Sequence, residues 1–482
     1  MMNRLTGKKY YRIEFMLASP LALGSGDNKN TDRDLLLNSR KEPYIPASSI
    51  AGVIRDSLLR YFGEDKTETV YQYLGMVNKA TTDNSESSNI ESRIIFYDAV
   101  LHSKSPRHIS VRDSVSLDEY RTAKKGAKFD MEILEAGAHF CTYLEQSIFE
   151  GDDREFTEKI IARIIEDNLL FGGKSMRGYG EIKITSIGWK HYDLTNAEDL
   201  EKWLDFDIYE EREWKPIKNL SSAQKENIGI VLHLKQAGGI SVRKYTTAVR
   251  NPDSLIPQPD YEQLTAHPCN YGTEEKEDSA PLPVIPGTSW AGAFRHRMKE
   301  FGVDISSKNS IFGYVDQSEE KQHFRSDGLG NKNNNTVVVE RDKNLDQSIK
   351  TESTKRKKQE NKKRSRIRFS ESRIENAKEK ILSRNALDRF SGGTADKALF
   401  TEKTFYGGTT SLTISWHGKE KMSDDNQKAL AAVIADLHFG FLAVGGETSI
   451  GRGRFVVEDI CGESVNDENV YEVALSQIKE KM

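Results

Sequence analysis

The stretch Phe171-Gly-Gly-Lys-Ser-Met-Arg-Gly-Tyr-Gly-Glu181 occurs again, in altered form, as Val444-Gly-Gly-Glu-Thr-Ser-Ile-Gly-Arg-Gly-Arg454. We call these stretches the first and second glycine turns. They keep four glycines in register, although most of the other residues differ. An internal repeat reports architecture before any single motif is interpreted, because each copy is one structural unit. The chain is therefore predicted to contain the same kind of domain twice.

Two further blocks recur in the same order. Tyr44-Ile-Pro-Ala-Ser-Ser-Ile-Ala-Gly-Val-Ile-Arg55 returns as Val284-Ile-Pro-Gly-Thr-Ser-Trp-Ala-Gly-Ala-Phe-Arg295. A less regular block between Leu117 and Gly137 is echoed between Leu387 and Gly408. Three matches in one order argue against chance. With 482 residues, the chain also has the length that two domains need.

Composition limits how such a chain can bind nucleic acid. The 70 Lys and Arg residues are outnumbered by 74 Asp and Glu residues, which leaves a net charge of −4. Any RNA site must therefore be a local basic patch rather than a property of the whole surface. No apolar run reaches the length of a membrane span, and no secretory leader is evident, so we expect a cytoplasmic protein without membrane contact.

Apolar periodicity predicts an α+β fold in each copy. Alternating apolar residues predict an opening strand around residues 11–17 and again around 228–234. Helical spacing follows Pro46 and Pro286, with Ser49 and Ser289 as expected N-caps. The order strand, helix, strands, helix, strand is the split βαβ, ferredoxin-like (RRM-like) plan, so we predict two tandem domains of this type with insertions. The predicted limits are 1–195, a linker at 196–226, and 227–482 with a polar, basic insertion at about 316–373.

The glycine turns are the first candidate binding sites. Successive backbone N–H groups in such a turn can face outward and bind phosphate. Lys174, Arg177, Arg452 and Arg454 would add positive charge there. The alternative left open is that the glycines only supply the positive φ that a tight turn requires.

These motifs together resemble the RAMP superfamily, whose members form the backbone of type III CRISPR interference complexes. The resemblance rests on Pro43-Tyr-Ile-Pro-x-Ser-Ser-x-x-Gly-x-x-Arg55, Gly126-Ala-Lys-Phe-Asp130 and Gly172-Gly-Lys-x-x-Arg-Gly-Tyr-Gly180. It implies a subunit that binds guide RNA, contacts target RNA and assembles with other type III subunits. It also implies a projecting segment, at about Ile109–Phe129, that kinks the guide–target duplex.

The same resemblance implies an acidic loop that cleaves target RNA. Asp32 is the best match for the cleaving residue and for an Mg²⁺ ligand, with Asp34 and Asp27 as neighbouring alternatives. Its carboxylate would hold Mg²⁺ or orient a ribose 2′-OH, and the sequence does not separate these roles. The second copy has Asp253, Asp260 and Asp278 in its longer loop, but none aligns with Asp32 without a gap, so no catalytic residue is assigned there. The residues expected to bind RNA are Ser48, Ser49, Arg55, Lys128, Gly172, Gly173, Lys174, Arg177, Gly178, Ser289, Arg295, Gly445, Gly446, Arg452 and Arg454.

Two other functions remain open. The chain could be a non-catalytic RNA-binding scaffold of the same complex, with incidental carboxylates. Alternatively, His102, His108 or His139 could serve as the base of a guide-processing endoribonuclease. The basic run from Lys355 to Arg368 would attract RNA in either case.

Overall fold

The structure is a computed structural model that describes residues 4–26, 29–63, 67–77, 89–118, 122–152, 154–167, 169–210, 213–217, 229–244, 259–267, 280–315 and 362–482. We call residues 4–217 the first copy and residues 229–482 the second copy. Both mix helices with antiparallel sheets, which confirms the α+β class. None of the helices in the described part of the chain combines the length and apolarity that crossing a bilayer requires.

The first copy is built around one sheet. Its elements are β1 (Leu5–Leu17), β2 (Tyr44–Ile45), α1 (Ala47–Phe62), α2 (Thr67–Leu74), β3 (Met76–Val77), β4 (Asn89–Ile90), β5 (Ile94–Phe96), β6 (Ala99–Leu101), β7 (Ile109–Leu117), β8 (Ala123–Leu134), β9 (His139–Phe149), α3 (Arg154–Glu166), β10 (Ile182–Asp193), α4 (Ala197–Leu204) and β11 (Lys215–Pro216). The strand order is β11-β10-β1-β9-β6-β2, and β5 also pairs with β9. Alternate residues of β1, such as Ile13 and Phe15, enter the core beside Ile50 and Ile54 of α1.

The second copy repeats this plan. Its elements are β12 (Ile230–Gln236), β13 (Arg243–Lys244), β14 (Tyr261–Gln263), β15 (Thr265–Ala266), β16 (Leu282–Ile285), α5 (Gly287–Glu300), β17 (Tyr314–Val315), β18 (Lys362–Lys363), β19 (Ile367–Phe369), β20 (Ser372–Arg373), β21 (Lys378–Leu387), β22 (Thr394–Tyr406), β23 (Thr409–Trp416), α6 (Asp424–His438), β24 (Phe455–Ile460), β25 (Glu463–Ser464) and α7 (Val470–Lys481). The main sheet has the order β19-β23-β12-β24-β25. Its opening strand, β12, lies between β23 and β24, as β1 lies between β9 and β10.

Each copy carries a long hairpin with exposed apolar side chains. The hairpin β7–β8 exposes Val115 and Leu117, and the hairpin β21–β22 exposes Leu387, Phe390 and Leu399. The first hairpin covers the segment predicted to project. Its action on a guide–target duplex stays a prediction.

The structure reveals a fourth repeated block that the sequence comparison missed. Ser92-Arg-Ile-Ile-Phe-Tyr-Asp98 and Ser365-Arg-Ile-Arg-Phe-Ser-Glu371 contain β5 and β19. The hydroxyl of Ser92 donates to the carbonyl of Ile94, and Ser365 donates to Ile367 in the same way. Since β19 pairs with β23, residues 365–371 belong to the main sheet although they fall inside the predicted insertion.

The predicted linker also contributes structure. Within it lie α4 and β11, and β11 pairs with β10 of the first sheet. Residues 355–361 of the basic run and residues 218–228 lie outside the described residues. The exact domain limits stay a prediction.

The two copies meet at a surface that we call the seam. The first glycine turn packs there against β19 and the start of α5. A Cβ on Gly178 would lie 2.9 Å from the Phe369 carbonyl oxygen, and one on Gly287 would lie 2.6 Å from the Arg177 carbonyl oxygen. Only glycine permits such close backbone approach. The seam is therefore a tight contact.

Buried ion pairs cross the seam. Arg368, which is 1% exposed, pairs with Glu181 at 2.8 Å and donates to the Ser175 carbonyl at 3.0 Å. Arg112 pairs with Glu135 at 3.0 Å and with Glu371 at 3.4 Å. Burial lowers the pKa of Arg112, but the two carboxylates outweigh it and raise that pKa. Both charge clusters join residues of one copy to residues of the other.

Candidate nucleic-acid interface

A basic cleft opens beside the seam, with a volume of about 990 Å³. Both copies line it. The basic residues on its walls are Arg33, Lys124, Lys174, Arg177, Arg295, Lys363 and Arg364, and the acidic one is Asp32. Phe129, Phe312 and Tyr314 add aromatic surface. Cations that follow a backbone and aromatic faces that stack on bases are the two elements of single-stranded nucleic-acid sites.

Lys174 lies at the root of the first hairpin. Its ammonium nitrogen is buried 3.9 Å from the centre of the Phe129 ring, and no hydrogen-bond acceptor among the described residues reaches it. Burial, and then the nearby Arg177 and Arg33, lower the pKa of Lys174 to about 7. An anion in the basic cleft would supply the missing acceptor.

The glycine turns do not form the predicted phosphate nest. In the first turn, the N–H groups of Gly173, Gly178 and Gly180 donate to the carbonyls of Ala22, Ser175 and Pro20. The second turn repeats this pattern. Its bonds run from Gly446 to Ser241, from Gly451 to Thr448 and from Gly453 to Gly239.

The glycines serve backbone geometry instead. Gly172 and Gly445 have φ values of 75° and 92°, and a Cβ on either would lie 2.7 Å from a carbonyl oxygen. The prediction that glycine N–H groups bind phosphate was wrong for the donors named above, because internal carbonyls already use them. RNA contact at the first glycine turn by Gly172 or by the side chains of Lys174 and Arg177 stays a prediction.

The helix starts also differ from the prediction. Both helices begin two residues before the expected serines, at Ala47 and Gly287, with Pro46 and Pro286 as N-caps. The N–H of Ala47 donates to the Asp98 carboxylate at 2.7 Å, so a distant acid satisfies it. Ser49 and Ser289 are half-buried and do not cap, whereas Ser48 is exposed. An RNA contact by these serines stays a prediction.

The two repeated arginines have one structural role. Arg55 donates to the Leu74 carbonyl at 2.8 Å, and Arg295 donates to the Ile305 carbonyl at 2.7 Å. The first bond ties α1 to the end of α2, and the second ties α5 to the loop that follows it. Arg295 also lines the basic cleft, where desolvation and the nearby Arg177 lower its pKa.

Arg452 occupies the interior of the second copy. It is 3% exposed, pairs with Glu402 at 2.8 Å and contacts the Tyr406 hydroxyl. An RNA contact through this guanidinium would require breaking a buried pair, so the structure argues against that prediction. Arg454 is exposed, and Lys128 pairs with Asp113 at 3.2 Å on the first hairpin. RNA binding by these two residues stays a prediction.

Asp32 and Asp34 have different surroundings. Asp32 is exposed, its N–H donates to the Asp130 carboxylate at 2.8 Å, and its own carboxylate accepts the N–H of Asp130 at 3.0 Å. Asp34 is buried and accepts the N–H groups of Lys29 and Thr31 at 2.7 and 2.8 Å. Asp34 thus organises the loop that presents Asp32. Asp27 lies outside the described residues.

The structure identifies Asp260 as the counterpart of Asp32, a choice that the sequence left open among three carboxylates of the longer loop. Asp260 accepts the N–H of Thr401 at 2.8 Å, and its own N–H donates to the Thr401 hydroxyl at 3.3 Å. Phe400-Thr401 stands in β22 where Phe129-Asp130 stands in β8. Asp32 and Asp260 therefore occupy equivalent positions. The sequence does not show this match, because the two loops differ in length.

The carboxylates of Asp32 and Asp130 alone would not complete the ligand set of a metal ion. No group of three or more His, Cys, Asp or Glu side chains in the described ranges is arranged to hold a metal ion. Asp32 and Asp130 each use one carboxylate oxygen to accept an N–H. Mg²⁺ commonly binds through one or two carboxylates together with waters and substrate phosphates. The residues fit Mg²⁺ in that shared arrangement, with RNA phosphate completing the ligand set.

The three candidate histidines have different surroundings. Burial, and then the nearby His102, lower the pKa of His139 to about 4, which makes it a weak base. His108 stacks on His267 across the seam, with ring centres 4.4 Å apart.

Comparison with known proteins identifies a family. No curated protein is similar enough in sequence to count as a relative. One similar solved chain comes from a cryo-EM structure described as type III-B Cmr-beta in the apo state. The two share 14% identity at a TM-score of 0.29, over 36% of this chain and 96% of that chain. The sequence profile of the RAMP superfamily matches residues 14–183 and 272–456, well over half of the chain. The chain belongs to the RAMP superfamily.

Proposed function

We propose that this chain binds guide RNA as a backbone subunit of a type III CRISPR complex, with single-stranded RNA lying in the basic cleft. The observation that carries the proposal is the composition of that cleft. Seven cations and three aromatic rings face one space in a chain whose net charge is negative. A local excess of cations of this kind attracts a polyanion through counterion release, whatever the total charge.

The proposal includes several finer statements. We take the fold to be two tandem ferredoxin-like domains, which the matching places of β1 and β12 in their sheets support. Other subunits of the complex and target RNA are the expected further partners, in the cytoplasm. The Cmr-beta likeness is too weak in TM-score to carry weight here, so family membership and the cleft support the proposal.

RNA binding by charge-reversed variants tests the cleft. Binding of a labelled single-stranded RNA would be measured by fluorescence anisotropy across a salt series. Reversing both Arg177 and Lys363 to Glu should lower affinity at least about tenfold and reduce the salt slope by about 1.4, since each phosphate contact on a single strand contributes about 0.7. Lys479→Glu, on α7 outside the basic cleft, is the matched control. Equal losses in both variants would contradict the assignment.

A second proposed activity is target-RNA cleavage at two positions, one for each copy. The matching contacts of Asp32 and Asp260 support it. In the first copy, Asp32 would orient the ribose 2′-OH or bind Mg²⁺ together with RNA phosphate, and Mg²⁺ would stabilise the negative charge that develops on the phosphate. The loop geometry held by Asp34 presents Asp32 to the basic cleft.

Cleavage products from the assembled complex test this activity. Complementary RNA would be incubated with guide, partner subunits and Mg²⁺, and the products resolved by length. Asp32→Asn and Asp260→Asn should each remove one product while leaving RNA binding unchanged. Asp130→Thr, which copies the second hairpin, should still cut if Asp32 acts. Two unchanged products in both Asn variants would leave the chain as a non-catalytic scaffold.

A further inference from the structure

The second glycine turn corresponds to the first glycine turn, which packs in the seam, but among the described residues it lacks a similar covering contact. The first and second glycine turns share their backbone shape, since Gly178 has φ 91° and Gly451 has φ 86°. Gly178 is covered by β19 of the second copy, whereas no described atom lies within 4 Å of a Cβ placed on Gly451. Ile450 beside it is 55% exposed. Within the described part of the chain, the second glycine turn therefore presents a face that nothing covers.

The first copy has the complementary free face. Ile95 stands in β5 where Arg368 stands in β19, within the fourth repeated block. Arg368 is 1% exposed in the seam, but Ile95 is 48% exposed. Asp98, the counterpart of the buried Glu371, is also exposed. The chain thus has two open ends, because the seam joins two different surfaces rather than one surface to itself.

A second copy of the chain is a poor partner for either of these two faces. In a copy-to-copy contact that repeats the seam, Arg454 would take the place of Glu181 and face Ile95 instead of Arg368. Leu382 is the counterpart of Arg112, because Leu382 pairs with Glu402 across the second hairpin as Arg112 pairs with Met131 across the first. In the repeated contact Leu382 would face Asp98. Both ion pairs of the seam would be replaced by one charge against an apolar side chain. An uncompensated charge in a buried contact is strongly unfavourable.

We propose that the second glycine turn docks a RAMP domain of a different subunit, one that presents a carboxylate opposite Arg454, and that the same face rejects a second copy of this chain. The partner should also have glycine at the start of its first helix, because the counterpart Gly287 lies against the Arg177 carbonyl. In this chain that position is Ala47. The identity of the partner as another RAMP subunit rests on the proposed function. The residues required of that partner are inferred from the contacts of the seam.

Sedimentation velocity of the full chain, without RNA, tests the rule. The probe is the chain itself with the missing carboxylate added, Ala47→Gly with Ile95→Glu. It should form head-to-tail oligomers whose average mass rises with concentration to at least about twice that of the monomer, because both halves of an open contact are now present. Wild type, Ala47→Gly alone, and Ala47→Gly with Ile95→Arg should stay monomeric.

Charge reversal at the other face completes the test. Adding Arg454→Glu to the oligomerising variant should return it to a monomer, and Ile95→Arg with Arg454→Glu and Ala47→Gly should associate again. This second variant serves if Ile95→Glu does not fold. Oligomers of the wild type, or monomers in both charge-matched variants, would overturn the inference. Failed RNA binding with the expected association would instead reject only the proposed function.

Discussion

Lys174 shows how one side chain can couple RNA binding to pH. Its ammonium is buried among Arg177 and Arg33 above the Phe129 ring, so the free protein holds it with a pKa of about 7. Phosphate in the basic cleft would favour the charged form. Above pH 7, binding therefore requires uptake of a proton.

We expect RNA affinity to fall as pH rises from 6 to 9. Lys174→Arg should flatten this dependence, because a guanidinium stays charged throughout the range. Anisotropy titrations at fixed ionic strength would measure both profiles. Parallel profiles for the two proteins would show that Lys174 is not the titrating group.

Asp34 shows how a carboxylate can support a site without acting in it. Burial raises its pKa, but the N–H groups of Thr31, Lys29 and Asn30 outweigh this effect and lower it. The contribution of the carboxylate to loop order is thus present near neutral pH and is lost in acid, as pH falls through the lowered pKa.

Asp34→Ala should leave the fold intact but loosen the loop. The amides of residues 29–31 lose their acceptor, so their hydrogen exchange should accelerate at pH 7. Arg33→Ala, in the same loop, is the control, since the Arg33 side chain accepts none of these bonds. Unchanged exchange in Asp34→Ala would contradict this role.

At the scale of elements, buried ion pairs connect the first hairpin, β7–β8, to the second copy. Arg112 on β7 holds Glu135 and Glu371, and all three side chains are at most 7% exposed. Removing the cation leaves the buried carboxylates of Glu135 and Glu371 without their guanidinium partner. The seam is therefore sensitive to a single substitution in a hairpin.

Arg112→Met should lower the free energy of unfolding by about 3–5 kcal/mol, the usual cost of breaking a buried pair. Lys202→Met, which removes the exposed pair with Glu198 on α4, should cost about 0.3–0.5 kcal/mol. Urea unfolding would measure both. Similar losses in the two variants would indicate that the Arg112 cluster is open to water.

For the whole molecule, the seam makes one folding unit of two copies. Gly178→Ala and Gly451→Ala introduce the same strain at positive φ, roughly 1–2 kcal/mol. Only Gly178→Ala also forces a methyl group against the seam. Calorimetry should show one transition for wild type and for Gly451→Ala, but two for Gly178→Ala. One transition in all three proteins would mean that the seam does not couple the copies.

The sequence by itself determined the duplication, the α+β class and the family, because repeated glycines and apolar periodicity are local signals. It also placed Lys174 and Arg177 among the binding candidates. Backbone donors at the glycine turns were assigned wrongly, since sequence does not show that internal carbonyls already accept those N–H groups. The alignment also missed the block at Ser365–Glu371, because these residues fall inside the predicted insertion.

Only the tertiary structure decided which residues share a site. The basic cleft joins Arg33 and Lys174 to Lys363 and Arg364, which are far apart in the chain and meet because the seam brings two sheets together. Asp260 became the counterpart of Asp32 through matching bonds to a hairpin strand. Contacts of this kind depend on how elements distant in the chain pack together. Local residue patterns predict the elements but not their packing.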